Sequence, residues 1–198
     1  MAGSFVREYL QGLKAVLDET DLDAVDRIGT RLWQAYLDDR RIFIIGNGGS
    51  AATASHMTCD LAKGATVPGK RRVRAISLTD NVAHMTAIGN DIGYEKLFTE
   101  QLANLAEPGD LLVAFTASGN SPNILDALRW ASGKGVETIA VLGFDGGEAA
   151  GLADLCVIAH SRNYGFVEDF HLILEHALSQ WMRARIETDG PVVSAECA

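Results

Sequence analysis

Cysteine is scarce in this chain. Cys59, Cys156 and Cys197 are the only three among 198 residues. They are odd in number and in no CxxC spacing, which excludes a disulfide framework and a thiolate metal cluster and fits a reducing cytoplasm. Long hydrophobic runs are missing as well. No stretch approaches the ~18–20 apolar residues of a membrane span, and charge at Arg7, Glu8 and Lys14 leaves no apolar core for a secretory signal, so no membrane partner is expected. Basic residues are outnumbered: 17 Lys+Arg stand against 26 Asp+Glu, a net charge of −9. That balance argues against a nucleic-acid partner, whose phosphates need clustered cations. It still permits a small anion held in a locally positive site. Apolar residues at 47% and charged residues at 22% are ordinary globular usage and argue against disorder. The length suits a single domain over 1–198, with one substantial core.

Periodicity divides the chain into a helical segment over 1–40, an α/β core over 41–187 and a poorly patterned acidic tail over 188–198, expected to fray. Phe5, Tyr9, Leu13, Val16 and Leu17 mark a first amphipathic helix; Leu22, Val25, Ile28, Leu32 and Tyr36 mark a second. Strands are expected over 41–45, 73–78, 111–115, 137–142 and 155–159, each short and rich in β-branched or apolar residues. Helices follow over 51–63 after Ser50, to Ile88 after Asn81, from Pro122, and from about Gly165 to Ile186. Strands alternating with helices imply a parallel sheet covered on both faces.

Ligands of open α/β sheets bind beyond the carboxyl ends of the strands. Two segments combine that position with glycine, hydroxyls and a helix start: Gly46-Asn47-Gly48-Gly49-Ser50 and Thr116-Ala117-Ser118-Gly119-Asn120-Ser121. Glycines admit close approach to backbone N–H groups, hydroxyls donate, and a helix N-terminus carries partial positive charge. Together they can cradle a phosphate without Lys or Arg; the plainer alternative is a pair of tight strand-to-helix turns. Neither segment matches a dinucleotide or nucleoside-triphosphate motif, so a sugar phosphate is the better ligand. Asp80 and Asn81 end a strand at the same edge and are expected to touch sugar hydroxyls or their own loop.

Ionisable residues cluster on two helices. His56 and Asp60 stand four apart and share a face. The last helix carries Glu168, Asp169, His171, Glu175 and His176. Glu168 and His176 lie ~80° apart around the helix axis, and Glu168 with His171 forms an E-x-x-H pair that also suits ligation. Such donors fit Zn²⁺, Mn²⁺, Fe²⁺ or Ni²⁺. Spacing leaves open the alternative of solvated charges, Asp169 and Glu175 among them, around a buried histidine.

In order, Gly46 to Ser50 with His56, Ile76 to Asn81, Ala87 to Asp91 with Gly93-Tyr94, Pro108-Gly109-Asp110, Ser118 to Asn123 and Gly143 to Gly147 resemble the SIS (sugar isomerase) domain, and within it the phosphoheptose isomerases. The resemblance implies a three-layer α/β/α sandwich with a mostly parallel five-stranded, flavodoxin-like sheet. It implies a homotetramer with sites built between subunits, one zinc ion per subunit, and conversion of sedoheptulose 7-phosphate to D-glycero-D-manno-heptose 7-phosphate. By position, Asn47, Gly48, Gly49, Ser50, Thr116, Ala117, Ser118 and Ser121 match the substrate-binding loops. His56 and His176 match metal histidines, so the resemblance selects His176 over His171.

The chain departs from the family where Asp60 stands for a glutamate that acts as ligand and base, and where Glu168 stands for a glutamine; Ala117 replaces a hydroxyl residue. These changes imply a metal set of His56, Asp60, Glu168 and His176, with Asp60 and His176 catalytic and Glu168 also facing substrate. SIS domains also include sugar-phosphate sensors and a branch that promotes replication initiation by binding a partner protein, which makes a non-catalytic regulator the alternative.

Overall fold

The computed structural model describes residues 1–192. Helices α1 (Ala2–Asp18) and α2 (Leu22–Leu37) precede β1 (Arg41–Gly46) and α3 (Gly49–Cys59). There follow β2 (Arg74–Ser77), α4 (Val82–Asp91), α5 (Thr99–Leu105), β3 (Leu111–Thr116), α6 (Pro122–Gly133), β4 (Glu137–Gly143), α7 (Ala149–Leu152), β5 (Leu155–Ala159) and α8 (Tyr164–Asp189). The expected strands and long helices are all present. Helices α5 and α7, absent from the sequence reading, are only seven and four residues long, too short to set up a clear period.

All five strands are parallel, in the order β2-β1-β3-β4-β5. This is the flavodoxin-like order, whose chain direction reverses between β1 and β3 and opens a crevice there. The loops after those two strands are Gly46–Ser50 and Thr116–Ser121, so topology brings together two segments about 70 residues apart in the chain.

Alternation along the strands feeds two apolar layers. Ile42, Ile44, Val113, Phe115, Ile139 and Val141 meet α2, α3 and α8 through Ile28, Leu32, Met57, Phe170, Leu174 and Met182. Phe43, Ile45, Leu112, Ala114, Ala140 and Leu142 meet α5 and α6 through Leu102, Ile124 and Leu128. Because both faces are covered, the strands read as unbroken apolar runs rather than alternating ones. No helix among the described residues is long and apolar enough to cross a membrane.

Two boundaries differ from expectation. Regular α-helix stops at Cys59, and Asp60–Gly64 forms one π-helical turn, in which Ala65 N–H reaches back to the Asp60 carbonyl at 2.7 Å. Arg183 of α8 donates from Nη1 to the carbonyls of Gly64 and Thr66, at 2.7 and 2.9 Å, and holds that wider turn. The expected frayed tail instead continues α8 to Asp189. Beyond it, Lys70 donates to the Gly190 carbonyl, Arg71 N–H to the Pro191 carbonyl, and Val192 bridges Lys70. The rest of that expectation, 193–198 with Cys197, falls outside the described residues.

His171 is fully buried against Phe115 and Phe170. Burial lowers its pKa to about 4, with the Leu142 carbonyl only partly opposing, so the folded protein holds it neutral. The unfolded chain takes up this proton near pH 6.5. Its contribution to stability is therefore complete above about pH 6.5 and is lost as pH falls toward about 4. The loss expected from this one group is on the order of 2–3 kcal/mol. Denaturant melts of wild type and His171→Leu at pH 7 and pH 4.5 check this: the gap between the two pH values should shrink in the variant.

Candidate active site

The first loop ends β1 and turns into α3 at Gly48, whose φ is +56°. While Ala51 N–H donates to the Gly48 carbonyl at 3.0 Å, the N–H groups of Gly49 and Ser50, at the start of α3, have no carbonyl one turn behind them in the helix. Facing them, the second loop folds on itself. Gly119 N–H donates to Thr116 Oγ1 at 3.3 Å and Asn120 N–H to Ser118 Oγ at 3.2 Å. Both hydroxyl oxygens thus accept from backbone and keep their own protons to donate. Gly119, at φ +65°, admits no side chain, because a Cβ there would stand 2.0 Å from the Gly146 carbonyl oxygen.

The two loops enclose a cleft of about 140 Å³ lined by Asn47, Ser50, Phe115, Thr116, Ala117, Ser118, Ser121, Tyr164 and Glu168. No lysine or arginine lines it. It is a nest of neutral donors with a single carboxylate at its side. Asn47 is fixed in place by a reciprocal amide pair with the buried Asn123, 2.8 Å each way, and by the Tyr94 hydroxyl donating to Asn47 Oδ1 at 3.0 Å. Asp80 and Asn81 are not among the lining residues. Asn81 caps α4 by accepting from His84 N–H at 3.0 Å, and Asp80 accepts from the Ser55 hydroxyl. Their position at a strand end is the one expected; their side chains are used by the local structure.

A second group lies farther along the same two helices. His56 and His176 bring their Nε2 atoms to 3.2 Å, with the rings edge to face. Asp60 Oδ2 stands 3.7 Å from His56 Nε2 and 3.9 Å from His176 Nε2. Glu175 Oε1 stands 3.7 and 3.4 Å from the same two nitrogens. These four donor atoms lie within 4.8 Å of one another and can hold a metal ion. The contact between His56 and His176 is made within one chain and needs no neighbouring subunit.

The fourth member corrects the sequence expectation. Glu168 is not in the group; its carboxylate lies over Gly49, where a Cβ would be 2.5 Å from Oε1. Glu168 and Glu175 are seven residues apart and share one stripe of α8, so angle around the helix cannot separate them. Distance along the axis does: eight residues carry Glu168 about 12 Å from the level of His176. Glu175, expected to be solvated or to pair subunits, is completely buried within the chain.

The donor set suits a divalent cation. Glu175 Oε1 is buried without a hydrogen-bond partner, an expensive arrangement unless something binds it. Burial pushes the Glu175 pKa up to about 7; His56 opposes this, Asp60 adds to it and the Ser179 hydroxyl opposes it weakly. Two neutral histidines with two carboxylates would balance a charge of +2. A tetrahedron built on ~2.0–2.1 Å zinc–ligand bonds has edges of ~3.3–3.4 Å. His176 Nε2 stands near that length from His56 Nε2 and Glu175 Oε1, at 3.2 and 3.4 Å, while the Asp60 and His56–Glu175 separations of 3.7–3.9 Å are wider and would have to close on an ion. His171 is walled off in the core, and His160 is exposed outside the group.

Compared with known proteins, residues 4–143 match the model of the SIS domain. This chain belongs to the SIS domain family. Curated SIS relatives named phosphoheptose isomerase include one from Mycobacterium bovis, 36% identical over 176 residues, or 89% of each chain. Another from Aliarcobacter butzleri is 34% identical over 182 residues, 91% of this chain and 96% of the relative. The solved phosphoheptose isomerase of Neisseria gonorrhoeae superposes with a TM-score of 0.86 at 26% identity, covering 93% of this chain and all of that one.

Replacing Glu168 and Glu175 in turn tests the assignment of the fourth donor. Glu175→Gln should weaken zinc binding at least tenfold by calorimetric titration, whereas Glu168→Gln should leave it within about twofold. The reverse pattern would return Glu168 to the metal set.

Proposed function

We propose that this chain is an aldose–ketose isomerase that converts sedoheptulose 7-phosphate to D-glycero-D-manno-heptose 7-phosphate. One observation carries the reading: a neutral anion cradle and a two-histidine, two-carboxylate group occupy the same pair of helices at a substrate's length from each other. Ser50 and His56 are six residues apart on α3, about 9 Å along its axis, and Glu168 and His176 about 12 Å along α8. An extended seven-carbon sugar spans a similar distance from its phosphate ester to its carbonyl. The names of the SIS relatives support the same reaction.

Isomerisation moves a proton between adjacent carbons through an enediol. It needs a base at carbon and proton delivery to two oxygens. Two carboxylates at the site stand in different surroundings. Glu175, wholly buried, is suited to hold a cation, while Asp60, with its side chain 31% exposed, can meet substrate and act as the base. With no ion on its Nε2, His176 can move the proton between the two oxygens; a bound ion would take that nitrogen and leave His176 as a ligand. Ser50, Thr116, Ser118 and Ser121 hold the phosphate together with the first-turn amides of α3, and this remote binding energy positions the reacting carbons. Glu168 accepts hydrogen bonds from sugar hydroxyls.

A zinc ion held by His56, Asp60, Glu175 and His176, one per chain, would supply polarisation of the carbonyl and the adjacent hydroxyl when bound. Self-association as a homotetramer is supported by the exposed apolar row Phe5, Val6 and Leu10 on α1. A cytoplasmic location fits the three widely spaced cysteines.

Incubation with sedoheptulose 7-phosphate, with and without added zinc, should yield the aldose. Asp60→Asn and His176→Gln should each lower kcat at least 100-fold while circular dichroism shows the fold retained. Wild-type turnover in both variants would overturn these roles.

A further inference from the structure

The cleft that receives the phosphate is too small for a whole sugar phosphate, so the reacting end of the carbon chain runs out toward His56 and His176 and only the carbons next to the phosphate stay at its lip. At that lip stands Tyr164, the first residue of α8, which lines the cleft while 59% exposed. Its hydroxyl makes no hydrogen bond among the described residues, so the ring is placed by packing alone. One turn farther along α8, Glu168 shares its face and lines the same cleft.

The ring is also held from behind. Phe144 packs edge to face against it, with centroids 4.9 Å apart and planes at 78°. Phe144 itself has a φ of +54°, a region that a bulky side chain enters only at a cost. Such strain persists where the surrounding structure enforces it, and it gathers at binding sites. Here the enforcement is visible. Phe144 N–H donates to the Ser161 carbonyl at 3.2 Å, and Gly146 N–H to the Gly143 carbonyl at 2.9 Å, closing the turn after β4 around it. Asn163 accepts from Gly165 N–H at 2.9 Å and fixes the start of α8.

We infer that Tyr164, braced by Phe144, is the aromatic wall of a polyol subsite, stacking on the C–H face of the sugar chain next to the phosphate. Glu168 then takes the hydroxyl protons on the adjoining side. The pairing sorts ligands. A polyol phosphate meets an apolar face and a hydrogen-bond acceptor, whereas inorganic phosphate uses only the cradle. The inference rests on the sugar-phosphate reading of the cleft but not on isomerisation.

The test uses the full chain and two probes that cannot react. One is inorganic phosphate; the other is the alditol 7-phosphate made by borohydride reduction of sedoheptulose 7-phosphate. For Tyr164→Ala the alditol phosphate Kd should rise about fivefold or more, while the inorganic phosphate Kd changes less than twofold. Tyr164→Phe, which keeps the ring, should recover most of the lost affinity. An unchanged alditol phosphate Kd in Tyr164→Ala overturns the proposal. Parallel weakening of both probes, or a change of oligomeric state, does so too, by assigning the ring to the architecture. Wild type that binds the alditol phosphate but does not turn over the ketose sinks the isomerase reading and leaves this one standing. Wild type that binds neither probe sinks both.

Discussion

The packing of α8 across α3 is the contact on which the site depends. Each helix alone carries half of two different devices. The start of α3 gives amides to the proposed anion cradle, and its later turns give His56 and, through the π-helical turn, Asp60. Helix α8 gives Glu168 and Tyr164 to the cradle's rim and Glu175 with His176 to the donor group. Met57 on α3 lies in one apolar layer with Phe170 and Leu174 on α8. That layer sets both the distance between the helices and their register. A sliding of one helix turn would part His56 and Asp60 from Glu175 and His176 by about 5.4 Å.

The chain fixes that register with few charged side chains. Arg183 reaches from α8 to two carbonyls at the end of the π-helical turn. The contact ties the turn bearing Asp60 to the helix bearing its partners. A π turn inserts one residue into a helix and re-aims those beside it. Asp60 is the first residue of this one, so the aim of its short side chain is bound up with the irregularity. At the other end, Lys70 and Arg71 hold the residues after α8, so the helix is secured beyond its final turn as well.

Electrostatics follows the same economy. A chain with nine excess negative charges binds an anion, on this reading, through hydroxyls and backbone amides, with no cationic side chain in the cleft. Neutral donors suit a ligand that must leave after each turnover, since they cost little to resolvate. Glu168 beside the cradle adds a charge that a second anionic group would have to oppose. The buried Glu175 works the other way, because its unpartnered oxygen is satisfied best by a cation.

Most of the fold was legible from the amino-acid pattern alone. Unbroken β-branched runs at regular intervals, each followed by glycine or hydroxyl residues and an apolar helix, admit little besides a doubly covered parallel sheet. The two loops were legible for the same reason, since glycines and hydroxyls at strand ends mark them locally. The donor group was only half legible. Spacing of four residues joined His56 to Asp60, but Glu168 and Glu175 repeat at seven on one stripe of α8, and which of their two levels meets His56 depends on how α3 docks against that helix. Depth decided between them, and depth is a property of what packs above a residue. The aromatic brace behind Tyr164 was equally invisible, since Phe144 and Tyr164 meet only after β4 and α8 have docked. Local chemistry and period are written in the chain; which turn of one helix lies beside which turn of another, and which neighbour closes over a side chain, exist only once the layers have come together.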